Sequence, residues 1–373
     1  MTVIIGIDPH KSSHTATALG ADLAELGTIR VRATRATIDQ LLTWAAPWAD
    51  RRWAIEGARG LGQLLAQRLV AAGESVVDVP ATLAARARLL ETGHGRKTDH
   101  IDSRGVALVA AQRPDMAPVT ADDHTRVLRL LADRRDELTR ERRRTMNRLH
   151  RHLRDLIAGG APLHLSAAKA AGLLAKVRPG DAVETERKQM ARDLLADIRR
   201  LDRAIADNRR RCATAVASSG TSLTEITGIS DVLAAKILGH VGDIGRFPSA
   251  DHLASYAGTA PIEASSGDVV RHRLSRRGNR QLNNAIHLAA HVQTIFPGPG
   301  RDYYQRRLAA GNSRTEALRL LKRQLTKAIY RVLVADAVTH PFVVAARHRG
   351  AISVKWSLAR LRGVGRGGVR SSA

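Results

Sequence analysis

The chain has 373 residues, 44% of them hydrophobic and only 3% aromatic, with a formal net charge of +25 and a pI near 11.4. It is long enough for two or three domains and holds no run of about 18 apolar residues, which excludes a membrane-spanning helix. A single cysteine, Cys212, excludes a disulfide framework or a cysteine-rich zinc site and fits a reducing cytoplasm, while the charge points to a polyanionic partner.

Taken in chain order, residues 1–118 read as an α/β domain. TVIIGID (2–8) is an apolar strand ending on an aspartate, rather than a signal peptide. HTATALGA (14–21) and LGTIRVRA (26–33) alternate as strands do. Thr37–Ala46 has helical spacing and stops at Pro47. RRWAIEG (51–57) is a strand ending on a glutamate. A helix follows over Leu61–Ala72, then a strand in ESVVDVP (74–80), then a helix over Asp99–Gln112. Three consecutive strands followed by alternating helices and strands is the order of a ribonuclease-H-like fold.

Residues 119–218 read as a helical arm. A long charged helix spans 122–158 and is broken by Gly159-Gly160-Ala161-Pro162; a second runs from about Glu184 to Ala217, with a short helical connector at 163–178. This pattern predicts an antiparallel coiled coil, or a spacer with a solvated charged face. Between Arg140 and Arg154 stand seven arginines and one glutamate, which favours contact with nucleic acid; Arg143, Arg144 and Arg148 are the candidates.

Residues 219–342 read as a second, mostly helical domain. LTEITGISDVLAAKILGHVGDI (223–244) predicts helix, glycine turn, helix, which is either a phosphate-binding helix-hairpin-helix or an ordinary αα-hairpin. Residues 343–373 form a basic, glycine-rich tail.

Two residue sets carry chemistry. Asp8 and Glu56 end the first and fourth strands, which are neighbours in a ribonuclease-H-like sheet, and Asp99 and Asp102 share one helix face. Four converging carboxylates repel one another unless a hard divalent cation, Mg²⁺ or Mn²⁺, lies between them. Such a site supports phosphoryl transfer. Lys11, Arg96 and Lys97 would add phosphate contacts beside it. Singly, each acid has a plainer explanation as a turn, a strand terminator or a helix cap. The second set is Ser265-Ser266-Gly267, followed by Arg271, Arg273, Arg276, Arg277 and Arg280. A serine on a glycine-flanked loop among arginines suits attack on a phosphate; a polar loop before a phosphate-binding helix is the alternative.

GIDPHK, AIEGA, KTDHID and YAGTAP…SSG…SRRGNRQL, in that order over residues 2–340, resemble the insertion-sequence transposases with a DEDD carboxylate set and a RuvC-like domain, the bridge-RNA-guided serine recombinases. The resemblance implies Mg²⁺ held by Asp8, Glu56, Asp99 and Asp102. It also implies a covalent 5′-phosphoserine at Ser266, with Ser265 as the neighbouring alternative. It further implies a homotetramer with composite active sites, and a structured guide RNA that pairs with donor and target DNA in the nucleoid-bearing cytoplasm. The rival readings are a Holliday-junction-type nuclease that uses the same carboxylates with water, an actin-like phosphotransferase, and a packaging protein. The last two fail on missing nucleotide loops and on unexplained carboxylates.

Overall fold

The computed structural model describes residues 2–92, 98–263, 272–274 and 278–339, without side chains at 88–92, 262–263 and 272–274. The chain divides after Ala121 into two compact units.

The first unit is built on β1 (Val3–Pro9), β2 (Ser13–Leu19), β3 (Glu25–Arg32), β4 (Arg51–Glu56) and β5 (Val76–Val79). The spatial order is β3-β2-β1-β4-β5. β1, β2 and β3 form an antiparallel meander, and β4 and β5 extend it in parallel beyond β1. This mixed sheet is ribonuclease-H-like, as the order of elements predicts. Period-two alternation sends successive side chains to opposite faces. Ile5, Ile7, Trp53 and Ile55 pack on one side with α1 (Thr37–Ala45) and α2 (Gln63–Ala71). Ala54, Val77 and Val79 pack on the other with α3 (Ala81–Thr92) and α4 (Asp99–Gln112). α3 has no counterpart in the sequence reading: its apolar stripe is weak, and Ala84 is its buried contact.

α4 lies directly on the middle of the sheet because Gly6 leaves room for it. A Cβ at Gly6 would stand 2.3 Å from the Ala107 nitrogen and from the Ser103 oxygen. The seam is sealed by a buried Thr17–Ser103 hydroxyl hydrogen bond of 2.7 Å.

The second unit is helical: α5 (His124–Leu156), α6 (Ala167–Lys176), α7 (Ala182–Ser218), α8 (Asp231–Val241), α9 (Ala250–Tyr256), α10 (Arg280–Ile295), α11 (Pro299–Ala309) and α12 (Arg314–Thr339), with a hairpin of β6 (Pro261–Glu263) and β7 (His272–Leu274). α5 and α7 run antiparallel. Arg142 meets Asp202, Arg135 donates to the Ile205 carbonyl and Asn208 to the Leu131 carbonyl. At one end Met146, Leu149 and Leu153 share a small core with α6 and with Leu195 and Ile198. At the other end Leu128, Leu131, Cys212 and Val216 enter the main core of α8, α10 and α12. The arm and the C-terminal helices therefore share a core, where the sequence suggested a boundary at 218. Gly239 tightens this junction: a Cβ there would stand 2.6 Å from the Arg129 backbone.

The two helices joined by a glycine turn expected over 223–244 take another form. Leu223–Glu225 is a single 3₁₀ turn, so only the second helix, α8, exists. Gly228, at φ 88°, packs its Cα side on the Ala289 carbonyl, which makes the turn a packing joint with α10.

Candidate functional site

The register of the sheet assembles the first site. β1 and β4 pair in parallel with Ile7 opposite Ile55, so the next residues, Asp8 and Glu56, end adjacent strands. Gly57 turns the chain away at φ 57°. α4 arrives over the same strand ends through Gly6. Its N-cap is Thr98, whose hydroxyl accepts from the Ile101 N–H at 3.2 Å. Asp99 is thereby relieved of capping duty, and Asp99 and Asp102 sit in the first helical turn, where the backbone dipole favours negative charge. His100 fastens the helix from outside through Glu25 at 3.0 Å.

Asp8 is buried, and its ionisation is shifted upward. Burial is the largest cause; Asp102 and Asp99 add repulsion, while His10 opposes it. His10 Nε2 lies 2.9 Å from Asp8 Oδ2 and 3.3 Å from Asp99 Oδ1. The other Asp99 oxygen lies 3.3 Å from the Arg30 guanidinium. Asp8, His10 and Asp99 present ligand atoms all within 4.8 Å of one another. Asp8 Oδ2 is shielded from solvent and meets His10 Nε2 at 2.9 Å, the contact that offsets part of its upward shift. Carboxylate oxygens gathered around the buried Asp8 are hard donors that fit a divalent cation.

Of the residues singled out in the sequence, Asp8, Asp99 and Asp102 are thus brought together, with Glu56 on the neighbouring strand end. Lys11 is exposed on the β1–β2 turn. Arg96 and Lys97 lie outside the described residues. His10 was absent from the sequence reading. The signal was present, because residues 8 and 10 lie two apart at the end of a strand and share a face.

In the second unit, Ser265, Ser266, Arg271, Arg276 and Arg277 lie outside the described residues, and Arg273 is described as backbone only. In sequence the two serines fall between β6 and β7, which pair through Pro261–Leu274, Ile262–Arg273 and Glu263–His272. Arg280 opens α10 and is exposed.

Beside this hairpin the YAGTAP segment and GNRQL (278–282) interlock. A Cβ at Gly278 would stand 2.5 Å from the Gly258 nitrogen, so the two segments touch backbone to backbone. Asn279 caps α10 by accepting from the Gln281 and Leu282 N–H groups, and it donates to the Tyr256 hydroxyl at 2.9 Å. Asn283 donates to the Ala257 and Gly258 carbonyls and accepts from Lys322 Nζ at 2.7 Å. Lys322 is only 7% exposed, and burial is the main cause lowering its pKa. Sequence reasoning missed it, since a lysine in the charged helix α12 looks like surface. His240, buried beside Asn279, is pushed down to about 4 by burial and then by Arg129. Along α5, Arg143, Arg144 and Arg148 are exposed. No helix among the described residues is long and apolar enough to cross a membrane.

A ribonuclease-H-like sheet with acids gathered at the ends of its parallel strands is the framework of the nucleic-acid phosphoryl-transfer enzymes. Comparison with known proteins narrows this class. Residues 5–157 match the DEDD transposase model of IS110, and residues 220–305 match the transposase model of the IS116/IS110/IS902 family. The chain is 30% identical to an IS116 insertion-element protein of Streptomyces clavuligerus, over 88% of this chain and 94% of that one. It is 28% identical to an IS900 protein of Mycobacterium paratuberculosis, over 91% and 98%. Among solved structures, Thermus thermophilus RuvC in complex with a Holliday junction aligns at 16% identity over 32% of this chain and 100% of RuvC; the TM-score is only 0.26, and nothing below rests on it. The chain belongs to the IS110/IS116 family of insertion-sequence transposases, enzymes that cleave and rearrange DNA.

Proposed function

We propose that this transposase cuts and rejoins DNA through a covalent 5′-phosphoserine, with Ser266 as nucleophile and a divalent cation held by Asp8, Glu56, Asp99 and Asp102. The observation that carries the acidic half is the buried Asp8 carboxylate, with ligand atoms of Asp99 and His10 within 4.8 Å and the Asp102 charge beside it. When bound, the cation neutralises the converging carboxylates and stabilises negative charge on phosphate oxygens. Asp8 is held rigidly by β1. Asp99 and Asp102 are held by α4 through Gly6 and Thr17, so the acids cannot relax apart.

The serine half rests on family membership and on the interlocked scaffold around the hairpin. Ser266 Oγ attacks the phosphorus, the Oγ–P bond forms, and the 3′-oxygen leaves with a proton. A 3′-hydroxyl of the partner strand later attacks the same phosphorus and releases the serine, so bond energy is conserved and no nucleotide cofactor is consumed. Arg271, Arg273, Arg276, Arg277 and Arg280 stabilise the charged intermediate. Base pairing with a structured guide RNA selects donor and target, while Lys11, Arg96, Lys97 and the exposed Arg143, Arg144 and Arg148 hold phosphate backbones. The α5–α7 pair acts as a coiled-coil arm in a tetramer whose active sites combine acids and serine from different subunits.

The test is reconstitution from purified protein, guide RNA, donor and target DNA, and Mg²⁺. Joined products that vanish with a chelator and return with Mg²⁺ are expected. Cleavage without joining would leave a water-using junction nuclease, and joining without RNA would remove the guide.

A further inference from the structure

The acidic site contains one donor that is not an acid. His10 follows Asp8 by two residues, with Pro9 between them, and its backbone N–H is tied to the Ser13 carbonyl at 2.9 Å. The ring therefore points back over the strand end. Its Nε2 sits 2.9 Å from Asp8 Oδ2 and 3.3 Å from Asp99 Oδ1, and both Nε2 and Asp8 Oδ2 are shielded from water. Neighbouring donors on an octahedral cation with bonds of about 2.1 Å lie roughly 3 Å apart, close to the spacings seen here. Asp99 is already divided between the two roles: Oδ2 faces Arg30 at 3.3 Å, and Oδ1 faces His10.

We propose that His10 is a metal ligand, placing one nitrogen in the same coordination shell as Asp8 and Asp99 and biasing the site toward Mn²⁺ over Mg²⁺. The inference rests on the metal-binding role proposed above for the acidic cluster. Mg²⁺ prefers an all-oxygen shell with retained waters, whereas imidazole is a good donor to Mn²⁺ and later first-row ions.

The experiment is pulsed EPR of Mn²⁺ bound to the full-length protein, with Mn²⁺ and Mg²⁺ affinities measured by titration. Wild type, His10→Gln and Asp8→Asn are compared, and matched melting curves confirm that each is folded. The expected result is a directly bonded ¹⁴N signal in wild type that is lost in His10→Gln. Mn²⁺ affinity should fall about tenfold in that variant, while Mg²⁺ affinity changes by less than about threefold. Mn²⁺ that binds wild type without ¹⁴N coupling, or a coupling that survives in His10→Gln, overturns the nitrogen ligand and leaves the carboxylate site standing. If neither ion binds wild type at millimolar concentration, both readings are overturned.

Discussion

The two units bury charge in opposite ways. The N-terminal unit gathers like charges: Asp8, Asp99 and Asp102 converge, and the burial of Asp8 makes its ionisation costly. The C-terminal unit buries single basic groups and gives each its own partner, a carboxylate for Lys236 and side-chain amides for Lys322 and His240. Lys322 donates to Asn283, and Asn279 meets His240 Nδ1 while Nε2 faces Asp133 at 3.8 Å. The first arrangement is open, in the sense that a buried acid stands beside like charges that a cation would relieve. The second keeps its buried cations apart, each beside a partner of its own. A cluster left in electrostatic debt identifies where chemistry is done, and a satisfied polar network identifies what holds it.

The largest effect that could break this contrast is on activity. Asp8→Ala or Asp102→Ala should lower recombination by at least about a thousandfold, measured by product formation, with the melting temperature of the metal-free protein unchanged or raised. Activity within tenfold of wild type would refute the open site. Next come the two glycine seams. Gly6→Ala drives a methyl into the α4 backbone and Gly278→Ala into that of Gly258, so each should cost about 3 kcal/mol or more in denaturant unfolding. Loss of activity in Gly6→Ala should exceed the stability loss, because α4 carries two of the acids.

The pH responses should have opposite signs. His240 has a folded pKa of about 4 against 6.5 unfolded. Its stabilising contribution is complete above pH 6.5 and is lost as pH falls from there to about 4, by up to roughly 3 kcal/mol. His240→Gln should flatten that slope. Asp8, shifted upward, contributes stability only in its protonated form. Metal-free protein should therefore lose stability in the N-terminal unit as pH rises above the ordinary carboxylate range, and a divalent cation should restore it. Calorimetry across pH 4–8, with and without Mg²⁺, reads both. A smaller loss, about 2 kcal/mol, is expected for Asn283→Ala, which strips Lys322 of its partner. The smallest effect sharpens the surface reading. Replacing Arg143, Arg144 and Arg148 together by alanine should leave stability within about 0.5 kcal/mol, while the log–log salt slope of nucleic-acid binding falls by about 2 to 3.

Much of the N-terminal unit was legible because strands write their faces in period two and end on the residues they present. Asp8 and Glu56 could be paired from strand order alone, and Asp99 and Asp102 from helical spacing. His10 was passed over although it obeys the same rule, since a histidine after Asp-Pro reads as part of a turn. The C-terminal unit was less legible. β6 and β7 are three residues each, too short to show alternation. The network of Tyr256, Asn279, Asn283 and Lys322 joins residues up to 66 positions apart through side-chain amides that carry no local periodicity. The 3₁₀ turn at Leu223–Glu225 looked like a helix because its apolar spacing was set by packing against the core rather than by helical phase.

The most direct test of the account is a denaturing gel of the transposase incubated with end-labelled donor DNA, guide RNA and Mg²⁺, run for wild type, Ser266→Ala and Ser265→Ala. The account predicts a covalent protein–DNA band in wild type and Ser265→Ala that is absent from Ser266→Ala. DNA cleavage at wild-type rate in Ser266→Ala, with no adduct in any lane, would contradict it and leave the carboxylate site working with water.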